Sequence, residues 1–457
     1  MKTITFFLAT AVFSGVYVGA KAQPQPGKLI WSYDAGTPIP ASPAVAKDGT
    51  VYIGGQGGLM AVTNNASSGS NKWTFYPGES LQGAPTVGSD GTIYFGGGNA
   101  NFYAVNPDGS QRWVLPLQPE YTNQVVYRST PAVGLDNTLY FVASGRLYAV
   151  SSNGSNKWEH TIDTASTPNF PLSPAIGADG TIYVGSFYQG SFYAIRPDGS
   201  EKWSFAFNSP TSESPAIDGD QNVYVTAGGL HSFSPDGTHI LSGGGTSLGL
   251  ASAVLGRNGM IYVADTSLAL TAIQADGQTI WRTAQYAAPL LPTTPAIDAA
   301  GTLYYCVSNT LFAVSPAGAV LWVFHSPYAP AGNHVYDSQA SPVISPGGTI
   351  YAVFGTQLFA LVGTNTLGDT AWPMYRQNVR HTGKVERPSL KPPQKRGDAN
   401  IGLELYAQVG DPFTIQASTN LNTWTSLTSF VATTVPMDVV DFTATNFPVR
   451  FYRASSP

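Results

Sequence analysis

Ser173-Pro174-Ala175-Ile176, Asp179-Gly180-Thr181-Ile182-Tyr183-Val184, Phe192-Tyr193-Ala194-Ile195 and Pro197-Asp198-Gly199-Ser200-Glu201-Lys202-Trp203 make up one copy of a pattern that recurs eight times between Pro43 and Val362. Aligned on the step from a small residue to proline, the copies start at Pro43, Pro85, Pro131, Pro174, Pro215, Ala253, Pro295 and Pro342, at spacings of 38 to 47 residues. That period is typical of a four-stranded propeller blade. In the quoted copy the β segments are predicted over 174–177, 181–185, 191–196 and 201–205, here lettered A to D. All are rich in Val, Ile, Tyr, Phe and Trp and bounded by turn residues. Asp-Gly or Asn-Gly pairs join A to B at 48–49, 90–91, 179–180 and 258–259, and C to D at 108–109, 153–154, 198–199, 236–237 and 276–277. They predict two-residue hairpins with positive φ.

Strand D decides whether the copies close into a ring. Trp73, Trp113, Trp158, Trp203, Leu241, Trp281 and Trp322 mark it in copies one to seven, whereas copy eight runs into Val362-Gly363 without one. A spare D segment, Lys28-Leu29-Ile30-Trp31, precedes copy one. If it completes copy eight, the ring is latched and no sheet edge stays open at the junction. The fold expected is therefore all-β: an eight-bladed β-propeller closed by an N-terminal strand, followed by a small C-terminal β-sandwich-like domain. A seven-bladed ring and an open β-solenoid are the alternatives. The recurring Trp and Tyr are read as packing between blades, since they repeat in nearly every copy.

Charged residues make up only 11% of the chain and the net charge is −5. That balance argues against nucleic acid as a partner. Cys306 is the only cysteine, which excludes a disulfide framework or a CxxC site within one chain. Lys2, the apolar run 4–18 and Ala20-Lys21-Ala22 read as a signal peptide over 1–22. No stretch reaches transmembrane length. An exported monomer is expected, periplasmic, cell-surface or extracellular, with no lipid anchor because no cysteine follows the cleavage site.

The propeller is placed at 28–384, a Pro-rich basic linker at 385–397 and a β module at 398–457. Seven Lys/Arg and one acid, Glu386, fall within 372–396, leaving −11 for the rest of the chain. This segment reads as a solvated linker, or as a basic strap gripping an anionic envelope polymer or the acidic propeller. Five β segments are expected in the module, at 403–406, 413–417, 423–427, 437–442 and 450–454.

Function is sought where the repeat breaks. A-to-B and C-to-D turns share one face and are uniformly short, while B-to-C and D-to-A loops share the other and vary widely. Tyr121, Tyr127 and Arg128 in one long D-to-A loop, His334, Tyr336 and Asp337 in another, and Tyr188 are the candidate ligand-binding residues. With Gln124, Phe170, Tyr286, His325 and Tyr328 they make an aromatic rim with a few polar groups. Other motifs read as chance or as turn chemistry. Gly245-Thr246-Ser247-Leu248-Gly249 lacks the strand–turn–helix of a hydrolase elbow. Asp218-Gly219-Asp220-Gln221-Asn222 occupies an ordinary turn and has Gly229 where a calcium loop needs Glu. Arg396-Gly397-Asp398 is a three-residue match. The six histidines show no metal-ligand spacing. No catalytic residue and no metal ligand is assigned.

The Trp-docking segments Asp108-Gly109-Ser110-Gln111-Arg112-Trp113, Asp198 to Trp203 and Asp276-Gly277 to Trp281 resemble the PQQ-repeat, quinoprotein-like family of eight-bladed propellers over residues 28–384, and 371–383 looks like a terminal motif of its secreted members. One branch implies pyrroloquinoline quinone and Ca²⁺, although its alcohol-oxidising members carry an adjacent-cysteine disulfide that this chain cannot form. The other branch is a non-catalytic outer-membrane assembly scaffold that binds partners by its propeller. The leading expectation is a binding module for an envelope or extracellular protein, peptide or glycan, without a cofactor. A quinone-dependent oxidoreductase is the alternative, and a hydrolase or lyase using the same face comes third. Ala417-Ser418-Thr419-Asn420-Leu421, Trp424 and Arg450-Phe451-Tyr452-Arg453-Ala454 resemble a terminal β module appended to many secreted bacterial proteins.

Overall fold

The computed structural model describes residues 25–455 apart from 65–67, 82, 99–100, 118–128, 164–171, 188, 208, 212–213, 244–250, 257–258, 266, 285–292, 328–339, 369–373, 379–380, 384–388, 391–393, 396–400, 407–411, 421, 432–436, 442 and 444–449. Among them, eight four-stranded antiparallel sheets follow one another through the repeat region. In blade 4 the strands are Ala175–Ile176, Ile182–Gly185, Ser191–Ile195 and Glu201–Ala206, hydrogen-bonded in that order. Strand A is always short and buried, because it lines the crowded axis.

Blade 8 is built from both ends of the repeat region. Val343–Ile344, Thr349–Phe354 and Gln357–Val362 supply its A, B and C strands, and Leu29–Asp34 pairs antiparallel with the last of these as strand D. Trp31 takes the place of the missing tryptophan. Its ring lies 5.9 Å from Tyr351, matching Trp203 and Tyr183 of blade 4. Trp31 also packs over Gly69 of blade 1, which carries the ring across the junction.

Each tryptophan works between blades. Trp158 lies over Gly199 of the next blade, where an added Cβ would come within 2.8 Å of the indole, and its Nε1–H donates to the Pro197 carbonyl at 2.8 Å. Trp73, Trp113, Trp203 and Trp281 repeat the contact. Pro-Asp-Gly is therefore a docking surface as well as a turn. Asp in these turns keeps negative φ, which corrects the two-residue hairpin expectation. In the two turns of blade 4 the left-handed residues are Gly180 (φ 82°) and Gly199 (φ 89°). Asp179 instead accepts the Thr181 N–H at 2.9 Å, and Gly180 N–H closes onto the Gly177 carbonyl. This is a type I turn followed by a left-handed glycine.

The Ser or Thr before several of these prolines also has a task. Ser173 Oγ accepts the Thr130 N–H, Thr294 Oγ1 the Ser252 N–H, Ser341 Oγ the Thr294 N–H, and Ser42 Oγ the Ser341 N–H at 2.8 Å. Each bond satisfies a buried amide across a blade boundary, and the last spans the closure from blade 8 to blade 1.

The C-terminal module has two sheets. Ile401–Tyr406 pairs with Met437–Asp441 on one side and with Ser389–Leu390 and Gln394–Lys395 on the other. Pro412–Ser418 lies between Thr425–Val431 and Phe451–Ser455. Leu403, Leu405, Phe413, Ile415 and Val439 fill the space between the sheets, giving a small sandwich. Residues 385–397, read as a linker, thus include two strands of that sandwich.

Candidate functional site

The seven candidate residues Tyr121, Tyr127, Arg128, Tyr188, His334, Tyr336 and Asp337 lie outside the described residues. So do Gln124, Phe170, Tyr286 and Tyr328, the Gly245–Gly249 motif, the Arg396-Gly397-Asp398 tripeptide and the signal segment. Of the named rim, His325 is described. It sits on the outer strand Val320–His325 of blade 7, 3.0 Å from Thr310 Oγ1. Asp218 behaves as a turn cap, accepting the Asp220 and Asn222 N–H groups.

The axis beneath that loop face is occupied by the chain itself. After blade 8 the chain passes the A-to-B turn of blade 7, where Ala299 N–H donates to the Thr366 carbonyl and Gly368 N–H to the Ile297 carbonyl. Met374, Tyr375, Arg376, His381 and Thr382 are then buried. Their contacts climb around the innermost strands. His381 Nδ1 meets the Pro85 carbonyl at 3.0 Å in blade 2, Val133 N–H of blade 3 donates to the Thr382 carbonyl, and Ile176 N–H of blade 4 donates to the Gly383 carbonyl. Tyr375 OH lies 2.9 Å from Thr130 Oγ1 and packs with Ala41 of blade 1 and Ala84 of blade 2. A segment touching blades 1 to 5 from inside can only lie on the axis. It pairs inner-edge amides that the sheets leave without partners.

Arg376 is fully buried at the loop-face end of this plug. Its guanidinium donates to the Pro174 carbonyl and, at 2.9 Å, to Ser214 Oγ. Nε and Nη2 have no partner, and no carboxylate pairs with the guanidinium in the described structure. Burial pulls its pKa down to about 10, so it remains charged at neutral pH. The basic stretch therefore enters the propeller at Arg376, and what it grips is backbone carbonyl and hydroxyl rather than acid. Gly383 closes the loop: its φ is +61°, and an added Cβ would fall 2.1 Å from Arg376 Nη2.

Because a carbonyl only accepts, His381 carries its proton on Nδ1, which leaves Nε2 buried and unpaired. Burial, opposed by the Pro85 bond and aided by nearby Arg376, pushes its pKa to about 3 from 6.5. The unfolded chain takes up this proton near pH 6.5 and the folded chain does not. The stability held by neutral His381 is thus complete above that pH and drains away as pH falls toward 3, at about 1.4 kcal/mol per pH unit. Denaturant titrations at pH 7 and pH 5 should therefore differ by about 2 kcal/mol more for the native chain than for His381→Gln. Equal losses in the two proteins would refute the assignment.

Among the described residues, no three His, Cys, Asp or Glu side chains converge as cation ligands. Cys306 is buried and free. One histidine pair that sequence spacing hides is His231 and His239 on adjacent strands of blade 5, with ring nitrogens 3.2 Å apart among Phe205, Phe207 and Phe233. No described helix is long and apolar enough to cross a membrane.

A ring of four-stranded blades, each tryptophan docked on the turn of the next, defines a β-propeller of the PQQ-repeat class. The chain belongs to the family described as outer membrane protein assembly factor BamB, whose model matches residues 17–194 and 194–374. The buried plug lies almost wholly beyond that match. Among solved structures, BamB from Moraxella catarrhalis superposes with a TM-score of 0.57 at 13% identity, covering 74% of this chain and 98% of that one. The computationally designed Ika8 protein gives 0.58 at 13% identity over 74% and 100%. The C-terminal WD40 domain of Sif2 gives 0.56 at 9% over 75% and 99%. These likenesses establish the fold. Comparison with curated protein sequences gives no match.

Proposed function

We propose that this protein is an exported, non-catalytic scaffold that binds a protein, peptide or glycan on the loop face of its propeller. The observation that carries the reading is the plug. The described plug residues, 374–378 and 381–383, pack against the innermost strands, and Arg376, His381, Thr382 and Gly383 pair with backbone groups at strands A of blades 2 to 4. The reading assigns recognition to the D-to-A and B-to-C loops, whose sequences carry Tyr121, Tyr127, Arg128, Tyr188, His334, Tyr336 and Asp337. The assembly-factor role in the family's name favours a protein partner within an envelope. The same filled axis weighs against the quinone-dependent alternative, which needs room there for a flat cofactor and its cation.

Two measurements test this. Tyr127→Ala with Tyr336→Ala should reduce recovery of bound envelope partners at least tenfold while leaving the melting temperature nearly unchanged. Undiminished recovery would remove the loop face as the site. Pyrroloquinoline quinone with Ca²⁺ should neither raise the melting temperature nor support dye reduction, and stabilisation with turnover would overturn the scaffold reading.

A further inference from the structure

Eight copies of one blade give an internal control on what the outer rim needs. The residue preceding the docked tryptophan on strand D is Lys72, Arg112, Lys157 and Lys202 in blades 1 to 4. Each pairs with the Asp of its own A-to-B turn: Asp48 at 3.9 Å, Asp90 at 2.6 Å, Asp136 at 3.1 Å and Asp179 at 3.0 Å. In blades 5 to 8 the same position holds Ile240, Ile280, Leu321 and Ile30. The acid of that turn position is absent from blades 6, 7 and 8 and remains in blade 5 as Asp220. Blade 6 has Arg257-Asn258-Gly259 and blade 8 Ser345-Pro346-Gly347-Gly348, without a carboxylate. Asp218 in blade 5 and Asp298 in blade 7 stand two residues earlier in the turn, at the position of Gly177, and accept from Tyr224 OH and Tyr304 OH at 3.1 and 2.9 Å; blade 7 has Ala300 where blade 4 has Asp179. The ionic half of the rim is thus blades 1 to 4; blades 5 to 8 lack this cation–turn pair, and blade 6 carries a different one on its outer strand, Arg282 with Asp265.

Apolar residues on the outer strands of blades 5, 6 and 7 are exposed. Ile240 is 56% accessible, Ile280 45%, Val320 52%, Leu321 51% and Val323 40%. Blade 7 is the extreme case: its C-to-D turn is Ser315-Pro316-Ala317-Gly318-Ala319, and Val320–His325 follows without a Lys, Arg, Asp or Glu. This strand is hydrogen-bonded to strand C on one side alone. Free edges of this kind are normally guarded by charge, as blades 1 to 4 guard theirs.

We infer that this rim is an interface between two copies of the chain, formed by antiparallel pairing of the blade 7 outer strands about a two-fold axis. The strand carries no Lys, Arg, Asp or Glu, so an isologous contact buries none of these ions, whereas blades 1 to 4 would bring their lysines or arginines to the contact. A lasting interface needs about 800 Å² from each partner. One strand supplies too little, so the contact extends to the neighbouring rims, where Ile280 of blade 6 and Leu29 of blade 8 are exposed.

Sedimentation velocity on the mature chain at rising concentration tests the inference. The native protein should shift from monomer to twice the monomer mass, and Ile280→Lys with Leu321→Lys should weaken the association at least tenfold. Both substitutions install the residue type that blades 1 to 4 already carry at that position, so folding is preserved, and circular dichroism melts check that it is. Lys157→Ile, in the ionic half, should leave association unchanged. A native protein that stays monomeric across about 1–100 μM, as expected from sequence, overturns the inference. So does a dimer unaffected by the lysines.

Discussion

Trp31→Ala should destabilise the propeller by about 3–5 kcal/mol, the usual cost of emptying a buried tryptophan site. The indole is 3% accessible, lies against Tyr351 of its own blade and covers Gly69 of the next. It belongs to a strand whose covalent neighbours are at the far end of the repeat region from its hydrogen-bonded partners at 357–361. Losing it should weaken one blade's core and the junction between first and last blades together. Denaturant unfolding followed by circular dichroism would give the magnitude. Limited proteolysis should show new cleavage within 28–36 before any other blade opens. A loss below about 1 kcal/mol, typical of a surface site, would mean that the N-terminal strand is not the latch.

Gly383→Ala is expected to be nearly as damaging, although it adds a single methyl group. At φ +61° alanine is strained, and its Cβ would occupy the position of the buried guanidinium. Arg376 would have to leave the Pro174 carbonyl and Ser214, placing a charge among buried groups with no replacement partner. A loss of about 3 kcal/mol or more should follow, by the penalty for an uncompensated buried charge. Unfolding should remain cooperative, because the plug touches five blades. If the variant melted like the native chain, Met374–Gly383 would not be packed in the axis.

These two sites differ in how openly the sequence announces them. Trp31 is legible because copy eight lacks a D strand and the N-terminus has a spare one, an argument that needs only counting. The recurring Ser/Thr before proline is visible too, but not its purpose, since the bond it makes reaches into another blade. Asp-Gly in the sequence favours a left-handed Asp179, yet its carboxylate caps Thr181 and Gly180 alone of the pair takes positive φ. The plug was hidden by composition. Arg, His and Pro in a stretch after the last blade read as a solvated tether, and nothing local reveals that Arg376 and His381 are fully buried. The strands at Ser389–Leu390 and Gln394–Lys395 were masked by prolines and cations for the same reason. His231 and His239, eight residues apart, meet only because a hairpin folds one strand onto the next. The rim asymmetry was in the sequence throughout, at the residue before each tryptophan, but it becomes a surface only once the blades are placed in a ring.

Hydrogen–deuterium exchange puts the account of a self-filled axis to its most direct trial. Peptides covering 374–383 should exchange as slowly as the inner strands of blades 3 and 4, with Val133 and Ile176 amides opening only when the whole propeller unfolds. Should 374–383 take up deuterium within seconds, like an ordinary solvated tether, the axis would be open, and the case for a rim-binding scaffold would lose its main support.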